Sequence, residues 1–224
     1  MKKYLKYVVI LLLIPLLIIA GACFYPERSY AFVSLIAVLL SCVPFFLSFE
    51  KKNNSTRKIV LLAVMTAFSA AGRFIFAPIP FFKPVTAMVV IAGMYFGAEF
   101  GFLTGALSAF ISNFYFGQGA WTPFQMFSWG IIGFIAGLLS SPLIKSKILL
   151  IVYGALAGVF YSLMMDVWTV LWMDGYFNIE RFFGAVITAL PVMVKYIVSN
   201  IIFLIILVPL FEKKIERLKT KYGI

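Results

Sequence analysis

The sequence contains no histidine, and it has only eight acidic residues and two cysteines in 224 residues. The lack of histidine excludes histidine-based acid–base catalysis, HExxH zinc sites and a Ser–His hydrolase. No glycine-rich loop ends in Gly-Lys-Ser or Gly-Lys-Thr, so the sequence has no P-loop for ATP. An aspartyl dyad would need Asp166 and Asp174, and Asp174 falls in a predicted loop beside Gly175. We therefore expect neither an enzyme nor a resident metal or cofactor.

What the sequence has in abundance is apolar residues, which make up 63% of the chain at a mean hydropathy of +1.05. Helices of about twenty apolar residues are long enough to cross a bilayer. The pattern predicts an all-α, polytopic membrane protein with about eight transmembrane helices. Their predicted ranges are 4–25, 29–49, 58–77, 84–97, 100–116, 122–142, 148–173 and 184–211.

The distribution of positive charge favours eight helices over seven. With eight, fourteen of the 19 Lys and Arg residues fall on one side of the membrane, which the positive-inside rule makes cytoplasmic. Both termini are then cytoplasmic. The net charge of +11 is explained by topology and lipid headgroups, and we expect no nucleic-acid partner.

A charged linker from Glu50 to Lys58 divides the chain into two predicted domains. Residues 1–50 form a transmembrane hairpin without charges inside its helices. Residues 57–219 form a six-helix membrane domain that contains the polar and aromatic groups of interest.

Small residues recur at a spacing of four in the six-helix domain, which lets helix backbones approach closely in lipid. Two explanations stay open, packing within the bundle or docking of another membrane subunit. The repeats are Gly93, Gly97, Gly101 and Gly105; Gly133 and Gly137; Gly154 and Gly158; and Ala63, Ala67 and Ala71.

Two segments on the non-cytoplasmic side combine aromatic and polar residues. Residues 73–84 contain three prolines with Phe81 and Lys83, and predict either an interfacial aromatic belt or a lid over a pocket. In residues 112–129, Trp121, Gln125 and Trp129 lie on one helical face and predict an aromatic platform with an amide at its centre. The amides of Asn113 and Gln118 lie nearby. They either bond other helices or bind a ligand, and we favour the ligand.

Two ionisable residues, Asp166 and Lys195, fall inside predicted helices, where charges usually face a cavity or each other. Asp166 lies in the outer half of its helix, near Trp172. The pair is either a structural ion pair or, with Asp166 as proton carrier, part of a proton-coupled symporter.

The six-helix domain resembles the substrate-binding (S) component of energy-coupling-factor (ECF) vitamin transporters. The resemblance rests on the alanine-spaced first core helix, the Gly93–Gly105 hairpin and the 113–129 segment. Its most specific part is Phe116-Gly117-Gln118-Gly119-Ala120-Trp121-Thr122-Pro123, which is most similar to members assigned to cobalamin or related corrinoids.

The resemblance implies a bacterial plasma-membrane subunit that captures a vitamin outside the cell. A transmembrane coupling subunit and two cytosolic ATPases would supply the energy. The family's docking face corresponds to Ala63, Ala67 and Ala71, and its pocket to residues 76–83 and 118–129. The alternatives are a stand-alone proton-coupled transporter that uses Asp166, or a structural membrane subunit.

Overall fold

The structure is a computed structural model, which describes residues 36, 38–40, 42–47, 49 and 56–222. The first predicted helix, 4–25, and most of the linker lie outside the described residues. The described part of the second predicted helix is helical.

Seven helices follow in the described range 56–222, and no strand occurs there. They are α1 (Thr56–Ile75), α2 (Val85–Phe96), α3 (Ala98–Phe116), α4 (Thr122–Leu138), α5 (Ser140–Lys145), α6 (Lys147–Asp174) and α7 (Ile179–Tyr222). The predicted all-helical fold is confirmed.

Three helices are long and apolar enough to span a membrane, namely α1, α6 and the part of α7 from Ile179 to Arg217. Helices α2 and α4 are apolar but shorter. They lie in the centre of the bundle, where nearly every residue of α2 is buried. A helix that is apolar on all sides is expected at such a central position.

Glycine and proline set most of the helix boundaries. Gly97 separates α2 from α3 at a φ of 103°, a conformation that residues with a Cβ rarely adopt. Pro123 lies in the first turn of α4, where its missing N–H costs nothing. Gly175 ends α6 in the left-handed conformation.

Two helix predictions differ from the structure. The predicted helix 122–142 ends at Leu138, and residues Ser140–Lys145 form the separate short helix α5. The last helix begins at Ile179 and continues to Tyr222, whereas the apolar pattern predicts 184–211. At about 1.5 Å per residue, the 44 residues of α7 extend well beyond one bilayer core, and the added turns after residue 211 are rich in charged residues.

The glycine repeats are used inside the bundle. A Cβ on Gly93 or Gly101 would collide with the backbone of Gly133, and one on Gly137 would collide with Ala98. Helices α2, α3 and α4 therefore pack backbone to backbone, as small-residue motifs allow. Gly158 similarly faces the backbone of α7.

The segment before α1 also contacts this core. Phe45 is fully buried, and its ring stacks on Phe102 of α3 with a centroid distance of 3.7 Å. Phe134 of α4 meets the same ring edge-on at 5.2 Å. The described part of the predicted hairpin thus packs on the face formed by α3 and α4.

Candidate functional site

A cavity of about 330 Å³ opens at the end of the bundle where α1 ends and α2 begins. Six helices contribute to its wall, namely α1 to α4, α6 and α7, and so does the loop 76–84. The residues lining it are Arg73, Ala77, Pro80, Phe81, Lys83, Val85, Thr86, Phe116, Trp129, Tyr161, Tyr196 and Asn200. Its volume lies at the lower end of the roughly 300–1,000 Å³ that small-molecule sites occupy.

Arg73, in the last turn of α1, brings a positive charge into this cavity. Its Nη1 donates hydrogen bonds to Ser112 Oγ at 2.5 Å and to Asn113 Oδ1 at 2.7 Å, both on α3. Its guanidinium carbon lies 4.4 Å from the centroid of the Phe116 ring and 5.3 Å from that of Trp129. These contacts fix the position of the guanidinium against aromatic faces.

An amide network behind Arg73 orients the arginine and the aromatic wall together. Asn113 is fully buried and donates from Nδ2 to Thr122 Oγ1 at 2.9 Å and to Gln125 Oε1 at 2.8 Å. Gln125 Nε2 donates in turn to Tyr161 Oη at 3.2 Å. Both amides thus bond other helices, while the side chain of Arg73 reaches the cavity.

The aromatic wall consists of Trp129, Tyr161 and Tyr196, from three different helices. The Trp129 and Tyr161 rings are stacked, with centroids 5.0 Å apart and an interplanar angle of 11°. Tyr196 meets Tyr161 edge-on at 5.1 Å. Such a wall offers flat apolar area together with phenolic hydroxyl groups, which suits a planar ligand with polar edges.

The loop 76–84 is held over the cavity by hydrogen bonds. The Lys83 ammonium donates to the carbonyl oxygens of Phe76 and Ile79 within the loop, the second at 3.0 Å. The Lys83 backbone N–H donates to Ser199 Oγ at 3.0 Å, and Ser199 Oγ donates back to the Lys83 carbonyl at 3.1 Å. Ser199 therefore ties the loop to α7.

Phe81 is the tip of this covering loop and adopts a left-handed φ of 63°, which is uncommon for a residue with a Cβ. Its ring meets Tyr196 edge-on at 5.8 Å, and Lys195 Nζ lies 5.6 Å from the centroid of that ring. The loop thus contributes residues to the cavity wall, as its interpretation as a lid requires.

Lys83 lines the same cavity as Arg73, so two cations face one space. Partial burial, and then the charge of Arg73, lower the pKa of the Lys83 ammonium below its ordinary value. Neither cation forms an ion pair with any residue in the described part of the chain. The ion pair between Arg181 and Asp174, at 2.6 Å, lies elsewhere, near the start of α7.

Several residues of the predicted platform lie elsewhere. Trp129 lines the cavity, Gln125 lies behind it, and Trp121 does not line it at all. The indole of Trp121 packs over Gly117 and Gly119 instead and is 37% exposed. Gln118 is exposed, donates to the Phe110 carbonyl at 2.8 Å and accepts from Thr122 Oγ1 at 3.0 Å. The stacked pair is therefore Trp129 with Tyr161, rather than two indoles.

Asp166, Trp172 and Lys195 do not line the cavity either. Asp166 is 8% exposed, and its Oδ2 has no hydrogen-bond partner. Lys195 is exposed and lies over Phe81, so the Asp166–Lys195 ion pair left open by the sequence does not form. Trp172 is 56% exposed and packs against Trp168 at 5.1 Å.

The main residue that sequence reasoning missed is Arg73, with Tyr161, Tyr196 and Asn200. A positively charged residue within the last turn of a span was the available signal for Arg73, since intramembrane charges usually mark function. The two tyrosines gave no such signal because aromatic residues are common in membrane helices.

A second surface of interest lies on α1, away from the cavity. Ala63, Ala67 and Ala71 are all exposed, together with Val60 and Val64. The alanine repeat is exposed along its length, whereas Gly93, Gly101, Gly105 and Gly133 are buried against neighbouring helices.

Comparison with known proteins gives local relatives and one family. The chain is 29% identical over 91 residues to a UPF0397 protein of Vibrio atlanticus (strain LGP32), covering 38% of this chain and 50% of that protein. It is 30% identical over 91 residues to a UPF0397 protein of Aliivibrio fischeri (strain MJ11), covering 38% and 49%. The chain thus spans about half the length of the curated relatives it matches.

No solved structure matches the chain. The model of the family described as "ECF-type riboflavin transporter, S component" matches residues 53–217, which include all of the cavity-lining residues. That match extends over most of the chain and over six of the helices completely. The chain belongs to the family of S components of ECF-type riboflavin transporters.

Proposed function

We propose that this protein is the substrate-binding subunit of an ECF-type importer and that it captures a planar heteroaromatic vitamin of flavin size. The observation that carries this proposal is the lidded cavity between the spans, with the stacked Trp129–Tyr161 pair as its wall. A stacked aromatic wall binds flat rings well, and the covering loop excludes water from them.

The ligand in this proposal is smaller than the one predicted from the sequence. A corrinoid ring with its axial ligands and peripheral amides is several times larger than a flavin, and the cavity holds about 330 Å³. The cobalamin expectation also depended on two indoles facing one ligand, and Trp121 lies outside the cavity. The cobalamin prediction is not confirmed, and the family match favours a riboflavin-like ring.

The proposal further includes the expected partners. The exposed face of Ala63, Ala67 and Ala71 would receive a helix of the transmembrane coupling subunit, because small side chains permit close approach. Two cytosolic ATPases would drive transport. The basic end of the bundle, which carries Lys145, Lys147 and the C-terminal part of α7, would face the cytoplasm, and the cavity would open outside.

Calorimetric titration of the purified protein with riboflavin, folate, cobalamin and cobinamide tests the ligand class. We expect a planar-ring ligand to bind, and we expect Trp129→Ala to weaken binding at least tenfold, or about 1.4 kcal/mol. Trp121→Ala is the matched control, since it removes an indole outside the cavity. Binding of corrinoids alone, or greater loss in Trp121→Ala than in Trp129→Ala, would refute the proposed ligand class.

A further inference from the structure

The charge balance of the cavity points to one more property of the ligand. Arg73 and Lys83 both line it, and neither has a carboxylate partner in the described part of the chain. An unneutralised cation inside a membrane helix is costly and is normally paired, and Arg73 lies in the last turn of α1. Lys83, in the loop, adds a second, partly exposed positive charge at the same cavity. The fold therefore keeps two positive charges in one place without supplying the negative one.

The hydrogen bonding of Arg73 leaves room for an anion. A guanidinium has five N–H donors, and here Nη1 alone makes the two bonds to Ser112 and Asn113. The remaining three N–H groups, on Nη2 and Nε, have no hydrogen-bond partner within the described residues. Nη2 and Nε together form the edge of the guanidinium that binds a carboxylate or phosphate through two parallel hydrogen bonds.

The surroundings hold this edge in place. The acceptors of Arg73 are neutral, a serine hydroxyl and an amide carbonyl, so they orient the guanidinium without cancelling its charge. Phe116 lies under both cations, with its ring centroid 4.4 Å from the Arg73 guanidinium carbon and 5.9 Å from Lys83 Nζ. The Trp129 ring, part of the wall for a planar ligand, begins directly beside this guanidinium.

We infer that the ligand is an anion: a planar heteroaromatic compound that carries a carboxylate or phosphate, with its ring beside the Trp129–Tyr161 pair and its acidic group on Arg73, aided by Lys83. This inference rests on the proposed function and narrows it. It separates anionic ring compounds from neutral vitamins such as riboflavin. Burial, and after it the charge of Arg73, lower the pKa of Lys83, and an anion between the two cations would offset the second of these effects.

Matched ligand pairs test the inference. In each pair the ring is the same and only one member is anionic: pterin-6-carboxylate with 6-hydroxymethylpterin, and flavin mononucleotide with riboflavin. We expect the anionic member of at least one pair to bind the full-length protein at least tenfold more tightly than its neutral partner. In Arg73→Gln this preference should disappear, because the anionic member loses at least tenfold more affinity than its neutral partner does.

The control variant is Arg181→Gln, which removes an arginine that already pairs with Asp174 at 2.6 Å outside the cavity. It should keep the full preference for the anion. Circular dichroism melting of each variant shows whether the helical fold is intact. If Arg73→Gln is poorly folded, Arg73→Lys replaces it as the test; it retains the charge and should retain part of the preference for the anion.

The possible results separate the two proposals. Equal or tighter binding of the neutral members overturns the anion inference and supports the proposed vitamin-binding function. An anion preference that survives in Arg73→Gln overturns the role of Arg73. If none of the four compounds binds to folded wild-type protein, the proposed ring-binding function fails, and the inference fails with it.

Discussion

Replacing Asn113 by Asp would place a carboxylate against Arg73 without moving the arginine. Asn113 Oδ1 already accepts a hydrogen bond from Arg73 at 2.7 Å, so an aspartate oxygen would occupy the same position. Thr122 would have to turn its hydroxyl proton from Gln118 Oε1 to the new carboxylate, which leaves the exposed Gln118 oxygen to water. The Gln125 amide would have to turn over, so that its NH2 group donates to the carboxylate and Tyr161 Oη donates to the amide oxygen. The fold should therefore tolerate the change.

The effect on an anionic ligand follows from Coulomb's law. An acidic group on the far edge of the guanidinium would lie about 6 Å from the new carboxylate, and at an effective dielectric constant of about 20 the repulsion is about 3 kcal/mol. We expect roughly a hundredfold loss of affinity for pterin-6-carboxylate or flavin mononucleotide, whichever binds the wild type. The neutral partner of the pair should lose less than about fivefold.

Titration calorimetry on the purified variant measures this loss, and a thermal melt reports its stability. Gln118→Glu is the matched control, because it adds the same charge at an exposed position outside the cavity. Unchanged or stronger binding of the anion to Asn113→Asp would refute the assignment of Arg73 as the anion-binding group. Equal losses in both variants would trace the effect to net charge rather than to the cavity.

Three further predictions concern other parts of the fold. Ala67→Trp should abolish co-purification with a coupling subunit and uptake while leaving ligand binding intact, whereas Leu156→Trp, at another exposed position, should do neither; normal assembly of Ala67→Trp would move the docking face elsewhere. Asp166→Asn should keep ATP-dependent uptake and melt at the same or a higher temperature, because its carboxylate has an unpaired buried oxygen; loss of uptake together with its pH dependence would favour a proton symporter. Gly101→Ala should destabilise the protein by about 1–3 kcal/mol in a denaturation assay, since its Cβ meets the backbone of Gly133, and Gly184→Ala, which has open space, should not; equal stability of the two would contradict the close packing of α3 and α4.

The fold was accessible from the sequence because a bilayer restricts what an apolar segment can do. A run of about twenty apolar residues must form a helix, and Gly97 and Gly175 end helices where their missing side chains permit a positive φ. The short helix α5 was missed because Ser140-Ser141-Pro142 was predicted to be the end of one helix, whereas α4 ends at Leu138 and these three residues begin α5.

The candidate site was only partly accessible, because its residues converge from six helices. Periodicity places Trp121 and Trp129 on one face of α4, but it does not reveal that the preceding turn folds Trp121 back over Gly119. The predicted topology placed Arg73 on the non-cytoplasmic side of the membrane. It did not reveal that hydrogen bonds to α3 hold the Arg73 side chain against the cavity. Convergence of this kind depends on helix rotation and depth, which a sequence pattern does not specify.

The backbone conformation of Phe81 makes the present conformation of the covering loop strained. Left-handed φ values cost a residue with a Cβ roughly 1–2 kcal/mol, so this loop stores elastic energy while it is closed. That energy is released whenever the loop moves residue 81 to an ordinary φ. Two residues of α7 stabilise the strained conformation: Tyr196 contacts the Phe81 ring, and Ser199 forms two hydrogen bonds with the Lys83 backbone. These contacts therefore hold residue 81 in its left-handed conformation, and losing them would leave that backbone cost uncompensated.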